Sequence, residues 1–97
     1  MIVSFKNQAT EDIFNGISSR IARRACPQAI LRVAARKLEL LDSVVVLDDL
    51  KVPSGNRLEA LSGNRSGEFS IRINQQYRIC FKWTDAGPIG VEITDYH

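Results

Sequence analysis

Between residues 69 and 93 apolar and polar side chains alternate with period two, and no other feature of the chain constrains its fold so tightly. In FSIRIN, Phe69, Ile71 and Ile73 face one way and Ser70, Arg72 and Asn74 the other. In YRICFKW, Tyr77, Ile79, Phe81 and Trp83 oppose Arg78, Cys80 and Lys82, and after a turn at DAGP the run IGVEI adds Ile89, Val91 and Ile93. Three such runs in close succession predict an antiparallel sheet with one apolar face. Facing residues in a sheet share a side, so a two-residue loop at Gln75 and Gln76 is disfavoured, because it sets Ile73 against Arg78. A three-residue loop pairs Ile73 with Tyr77 and Arg72 with Arg78. A four-residue loop pairs Ile73 with Ile79 and Asn74 with Arg78. Either one leaves Arg72, Arg78 and Lys82 on the face away from the core.

The first half of the chain supplies the layer that covers the apolar face. MIVSFK, β-branched and aromatic, reads as a first strand. TEDIFNGIS reads as a helix with Thr10 as its N-cap and acids in its first turn, broken near Gly16. CPQAILRVAARKLELLD predicts a helix over 27–42, opened by Pro27, whose missing N–H has no partner to lose there. Ile30, Leu31, Val33, Ala34, Leu38 and Leu41 form its apolar stripe, and Lys37 falls in the same half with a stem long enough to snorkel outward. VVVLDDL is ambiguous between strand and helical turn, and VPSGN is a loop. The expected fold is α+β, with an N-terminal strand and helices packed on one face of a small antiparallel sheet. The 97 residues, 1–97, are expected to form a single domain.

Composition excludes several classes of function. Two isolated cysteines, Cys26 and Cys80, and a single histidine, His97, match no metal-ligand spacing, so neither structural zinc nor another cofactor is expected. No signal peptide or membrane-length apolar run is present, and the expected location is cytoplasmic, with both thiols reduced. The net charge of +2 decides little, but its distribution is uneven. Residues 20–37 hold Arg20, Arg23, Arg24, Arg32, Arg36 and Lys37 with no acid among them, and 51–82 oppose Lys51, Arg57, Arg65, Arg72, Arg78 and Lys82 to Glu59 and Glu68 alone. Such segregation fits a polyanionic partner.

The spaced set GNRSG, SIR, YRI and a terminal DYH, together with MIVSFK and the leucine-rich helix ending in LLD, resembles the HigB branch of the RelE/ParE toxin superfamily over nearly the whole chain. The resemblance implies a RelE-like fold and the toxin of a bacterial type II toxin–antitoxin pair, whose usual activity is cutting messenger RNA on the ribosome. It implies a HigA-like helix-turn-helix antitoxin as partner, with operator DNA reached only through that antitoxin. Carried onto this sequence, the family's motif makes Arg65, Arg78, Asp95, Tyr96 and His97 the candidate catalytic residues. Where many members carry a histidine and then a lysine ahead of the GxR turn, this chain has Glu59 and Ser62, so Glu59 joins the catalytic candidates as a possible base and a weakened enzyme is expected.

Metal-free RNA cleavage needs a base for the ribose 2′-OH, an acid for the departing 5′-oxygen, and cations against the charge that builds on the phosphate. Arginines clamp a phosphate bidentately as lysines do not. His97, with an ordinary pKa of about 6.5, is the natural acid, and Asp95 can orient it. Tyr96 can stack on a base or donate a hydrogen bond. This assignment requires the terminal residues to end a strand, not to form a free tail. Arg57, Arg72 and Lys82 are read as contacts to RNA or ribosome phosphates. Two alternatives belong to other classes: a ParE-like poison of DNA gyrase, and a ribosome- or RNA-binding module without catalysis.

Overall fold

The computed structural model describes residues 1–95. Its sheet is a four-stranded antiparallel meander in the order β1 (Glu59–Ala60), β2 (Phe69–Arg72), β3 (Tyr77–Thr84) and β4 (Gly87–Asp95). Arg72 pairs with Arg78 and Ile71 with Ile79, which is the three-residue loop of the two allowed by parity. The Asn74 carboxamide oxygen closes that loop by accepting from the Gln76 N–H at 2.8 Å and the Tyr77 N–H at 2.7 Å. Asn is favoured in such turns because its side chain mimics a backbone carbonyl.

One expectation about β4 fails. Cys80 pairs with Glu92 but Lys82 with Ile89, so the ladder gains a residue on β4 between them. Gly90, at φ +60°, absorbs this bulge in a conformation that favours glycine. The extra residue reverses the alternation, and Ile89 faces Lys82 instead of joining Val91 and Ile93 in the core.

The N-terminal segment runs parallel to the free edge of β4. Backbone bonds join Val3 to Pro88, Ser4 to Val91 and Lys6 to Val91, yet only Phe5 and Val91 form a ladder bridge, because the bulge interrupts regular pairing. It is an edge-covering segment more than a full strand. The first helix, α1 (Gln8–Phe14), is capped by Asn7 and not by Thr10. Thr10 lies inside the helix, 1% exposed, and its hydroxyl accepts the Ile93 N–H at 3.1 Å, tying α1 to β4. After Gly16, at φ +75°, a short helix α2 (Arg20–Ala25) starts at its cap Ser19. The long helix departs from expectation at its start: Gln28–Ile30 form a 3₁₀ turn and the α-helix proper, α3, covers Leu31–Ser43. Ala34, Leu38 and Leu41 are fully buried against Ile71, Ile79, Phe81 and Val91, so the helices cover one face of the sheet.

Residues 44–58 carry the chain from α3 to the sheet. VVVLDDL resolves into a 3₁₀ turn, Leu47–Lys51, anchored by the buried Leu50. Asn56 is completely buried at the end of this loop, and its amide donates to the Leu50 and Val52 carbonyls at 3.1 and 3.3 Å. The Lys37 amine reaches back from α3 and donates to the Asn56 carboxamide oxygen, so it does not snorkel to solvent. Burial, with a smaller contribution from the Arg36 charge, holds that amine below its ordinary value of 10.5.

Candidate functional site on the polar face of the sheet

The register brings two rows of polar side chains to the face opposite the helices. One row runs Glu59, Ser70, Cys80, Glu92 across the four strands, and the next runs Arg72, Arg78, Thr94. Two arginines directly opposite each other repel unless an anion intervenes, and such a pair is a natural phosphate seat.

Arg78 is the best-held member. Its Nε donates to Ser70 Oγ at 2.7 Å and its Nη2 to the Arg57 carbonyl, also at 2.7 Å, while Glu59 Oε2 stands 3.9 Å from Nη2. Its side chain is only 11% exposed, against 58% for Glu59. The described partners all take one edge of the guanidinium. Arg57, whose carbonyl supplies one of them, sits in the left-handed region at φ +45°, the only non-glycine residue there among the described residues. Backbone strain of this kind clusters at functional sites. Arg72 is half-buried and Lys82 and Arg57 are exposed, as phosphate contacts require, and neither Arg72 nor Lys82 has an ion pair among the described residues. Thr94 Oγ1, in the same row as Arg78, is buried and has no hydrogen-bond partner among the described residues.

Arg65 is placed differently. The 3₁₀ turn Gly63–Arg65 carries it over the first polar row, where Nη1 meets Glu68 at 3.0 Å and Nη2 meets Glu92 at 2.8 Å. Lys6 approaches Glu92 as well, at 3.5 Å, so two cations balance two carboxylates. The Glu92 hydrogen bond raises the Arg65 guanidinium pKa further above its ordinary value. Arg65 therefore pins the GNRSG turn to β4, and both of its terminal nitrogens are engaged by carboxylates.

The end of the chain is a strand as far as Asp95. Asp95 pairs with Tyr77, whose side chain packs against the core, and accepts from Gln76 Nε2 at 3.1 Å; its register is that of Tyr77, not of Arg78. Burial first, and the Asp95 charge second, push the Tyr77 phenol above its ordinary value. Tyr96 and His97 lie outside the described residues. The groups that sequence reasoning overlooked are Ser70, Thr94, Glu92 and Asn56. The first three fall at polar phases of the alternation, which was their available signal, but Asn56 reads as an ordinary loop residue.

A second surface lies on the helix layer. A groove of about 400 Å³ between the α1–α2 link and α3 is lined by Ile13, Ile17, Leu31 and Arg32 among others, and Ile17 and Ile21 are 52% and 44% exposed beside it. Arg23 lines its continuation toward Cys26, and no acid lines either part. Both cysteines are buried and unpaired, and burial raises the Cys26 thiol, which keeps it protonated.

No described helix is long and apolar enough to cross a membrane, and no cluster of metal-ligating side chains occurs among the described residues. Comparison with known proteins is consistent across sequence and fold. The family model for the RelE-like toxin of type II toxin–antitoxin system HigB matches residues 4–97. Toxin HigB-1 of Vibrio cholerae serotype O1 is 38% identical over 96 residues, covering 99% of this chain and 94% of that protein. An uncharacterized protein of Haemophilus influenzae is 37% identical over 57 residues, 59% of this chain and 56% of its own length. The YoeB–YefM complex from Staphylococcus aureus contains a chain of similar fold, with TM-score 0.59 and 18% identity, covering 100% of this chain and 98% of that one. Sequence and fold agree, and this chain belongs to the HigB-like family of RelE-like toxins of type II toxin–antitoxin systems.

Proposed function

We propose that the protein is a ribosome-dependent endoribonuclease that cuts messenger RNA and so inhibits translation, without a metal. The observation that carries this reading is the cross-strand pair Arg72 and Arg78 with the Glu59 carboxylate beside Arg78. A phosphate seated on the arginine pair brings the adjacent ribose within reach of a base at Glu59. The 2′-oxygen then forms a bond to phosphorus as Glu59 accepts its proton. The bond from phosphorus to the 5′-oxygen breaks as His97 supplies a proton to that oxygen, leaving a cyclic phosphate and a 5′-hydroxyl. Arg78 offsets the charge on the phosphoryl oxygens. Asp95, held by Gln76, fixes the end of β4. Arg57, Arg72 and Lys82 contact flanking phosphates. Arg65 serves this site chiefly by fixing the turn beside it, and meets phosphate directly only by exchanging a carboxylate partner.

The place of action is where ribosomes are, in the cytoplasm. The partner is a HigA-like helix-turn-helix antitoxin. The apolar groove with its arginine rim fits an antitoxin segment bearing apolar anchors flanked by acids, since desolvated apolar contact gives affinity and charge complementarity gives rate and selectivity. The gyrase-poison reading draws on the neutralised Arg65 and on an anion at Glu59, both unfavourable to RNA. Incubation with programmed ribosomes, beside a supercoiling assay with gyrase, tests the two. Cleaved message with unaffected gyrase supports the nuclease; the reverse result overturns it.

A further inference from the structure

We propose that Lys37, on the helix layer, is a positioning residue for Arg78 and acts on it through Asn56 and the Arg57 carbonyl. The inference rests on the role given to Arg78 above. A carboxamide has a donor end and an acceptor end that are nearly equal in shape, so something must fix which way it points. For the buried Asn56, both amide hydrogens go to the Leu50 and Val52 carbonyls. Lys37 is the group that reads the other end: an ammonium only donates, so it accepts one orientation of the amide and rejects the flipped one.

The next residue is Arg57. Its N–H bonds the Ser54 carbonyl at 3.1 Å, its φ is +45°, and its own carbonyl receives Arg78 Nη2. A left-handed arginine persists only where its surroundings hold it. The fixed Asn56 on one side and Arg78 on the other are those surroundings. Lys37 also lies in the apolar half of α3 without a carboxylate partner among the described residues, a costly placement for an amine, and its lowered pKa agrees with partial desolvation. Without the amine, the Asn56 oxygen is a buried acceptor with no donor. The turn relaxes, the Arg57 carbonyl leaves Nη2, and the guanidinium, losing its anchor on that side, turns and loosens its Nε–H bond to Ser70 as well.

The test uses the full chain in two readouts. Nitrogen-15 NMR follows the Arg78 Nε–H resonance and its exchange with water, independently of cleavage. Single-turnover cleavage on programmed ribosomes is compared with ribosome affinity for Lys37→Met, Arg78→Ala and the double variant. Lys37→Met should shift the Nε–H signal and speed its exchange, slow cleavage about tenfold with affinity within about twofold, and add nothing in the Arg78→Ala background. An unchanged Nε–H signal, or a rate loss that adds in full to that of Arg78→Ala, overturns the proposal. Should Lys37→Met fail to fold, Lys37→Leu carries the same comparison with another side chain that cannot donate. If Arg78→Ala cleaves normally, the catalytic role of Arg78 fails, and the NMR signal still decides whether Lys37 positions it.

Discussion

Arg65 and Arg78 look alike in the sequence, each a basic residue in a short polar motif, and the fold gives them different work. Arg78 is gripped along one edge by Ser70 and Arg57, and Arg65 is closed on both terminal nitrogens by Glu68 and Glu92. Arg78→Ala is therefore expected to slow cleavage by about a hundredfold, near 3 kcal/mol of transition-state stabilisation, with a smaller loss of ribosome affinity. Single-turnover rates against binding isotherms check this, and a loss carried wholly by affinity makes Arg78 a docking residue. Arg65→Ala is expected to act on stability first. It leaves two partly buried carboxylates with Lys6 the one remaining ion-pair partner among the described residues, at a cost of roughly 1–2 kcal/mol after solvent screening. Denaturant melts measure it, and unchanged stability with lost cleavage would return Arg65 to the phosphate. The polar phase of Arg78 was legible from the alternation, whereas Arg65, in the turn before it, was marked only by the family motif. The pairing of Arg65 with Glu92 was not legible, because it depends on how the 61–68 loop folds back over the sheet.

At the scale of elements, the alternation carried the reading furthest where strands pair regularly. Parity alone excluded one loop and left two, and the Asn74 side chain selected the shorter. The alternation failed at Ile89, since a bulge counts one residue twice and periodicity cannot see it. Helix starts were also misplaced. Thr10 has the chemistry of a cap, but Asn7 takes that position and Thr10 is recruited by Ile93 on the sheet. Thr10→Val should thus cost about 1–3 kcal/mol, because the Ile93 N–H loses its acceptor in the interior. A stability loss of only a few tenths of a kcal/mol, about the size of a helix-propensity change, would contradict that role. The N-terminal segment depends on Gly87, at φ +127°, where an added Cβ would stand 2.2 Å from the Met1 carbonyl oxygen. Gly87→Ala should detach that segment from β4 as well as strain the turn, which amide exchange at Val3 and Lys6 will report.

The whole molecule is two-sided: helices and a basic-rimmed apolar groove on one side, an arginine-bearing sheet face on the other. Charge reversal at Arg23 and Arg32 should weaken antitoxin binding at least tenfold and leave ribosome cleavage unchanged, as measured by calorimetry and the cleavage assay. Equal effects on both would merge the two surfaces. Folding stability also has an acid limb. The Ser19 hydroxyl, then the Gln8 amide, hold Asp12 below its ordinary 3.8. A carboxyl whose folded pKa is depressed contributes stability above the unfolded value and loses it as pH falls through the folded one. Asp12→Asn should accordingly lessen the fall in stability below about pH 4, and an unchanged acid limb would assign it to other carboxylates. The most direct test of the central claim is cleavage of messenger RNA by the purified protein on programmed ribosomes, with chelator present. The expected product is cut message ending in a cyclic phosphate and a 5′-hydroxyl, formed at a rate reduced about a hundredfold in Arg78→Ala. Intact message with the unaltered protein, or cutting that Arg78→Ala leaves untouched, would contradict it.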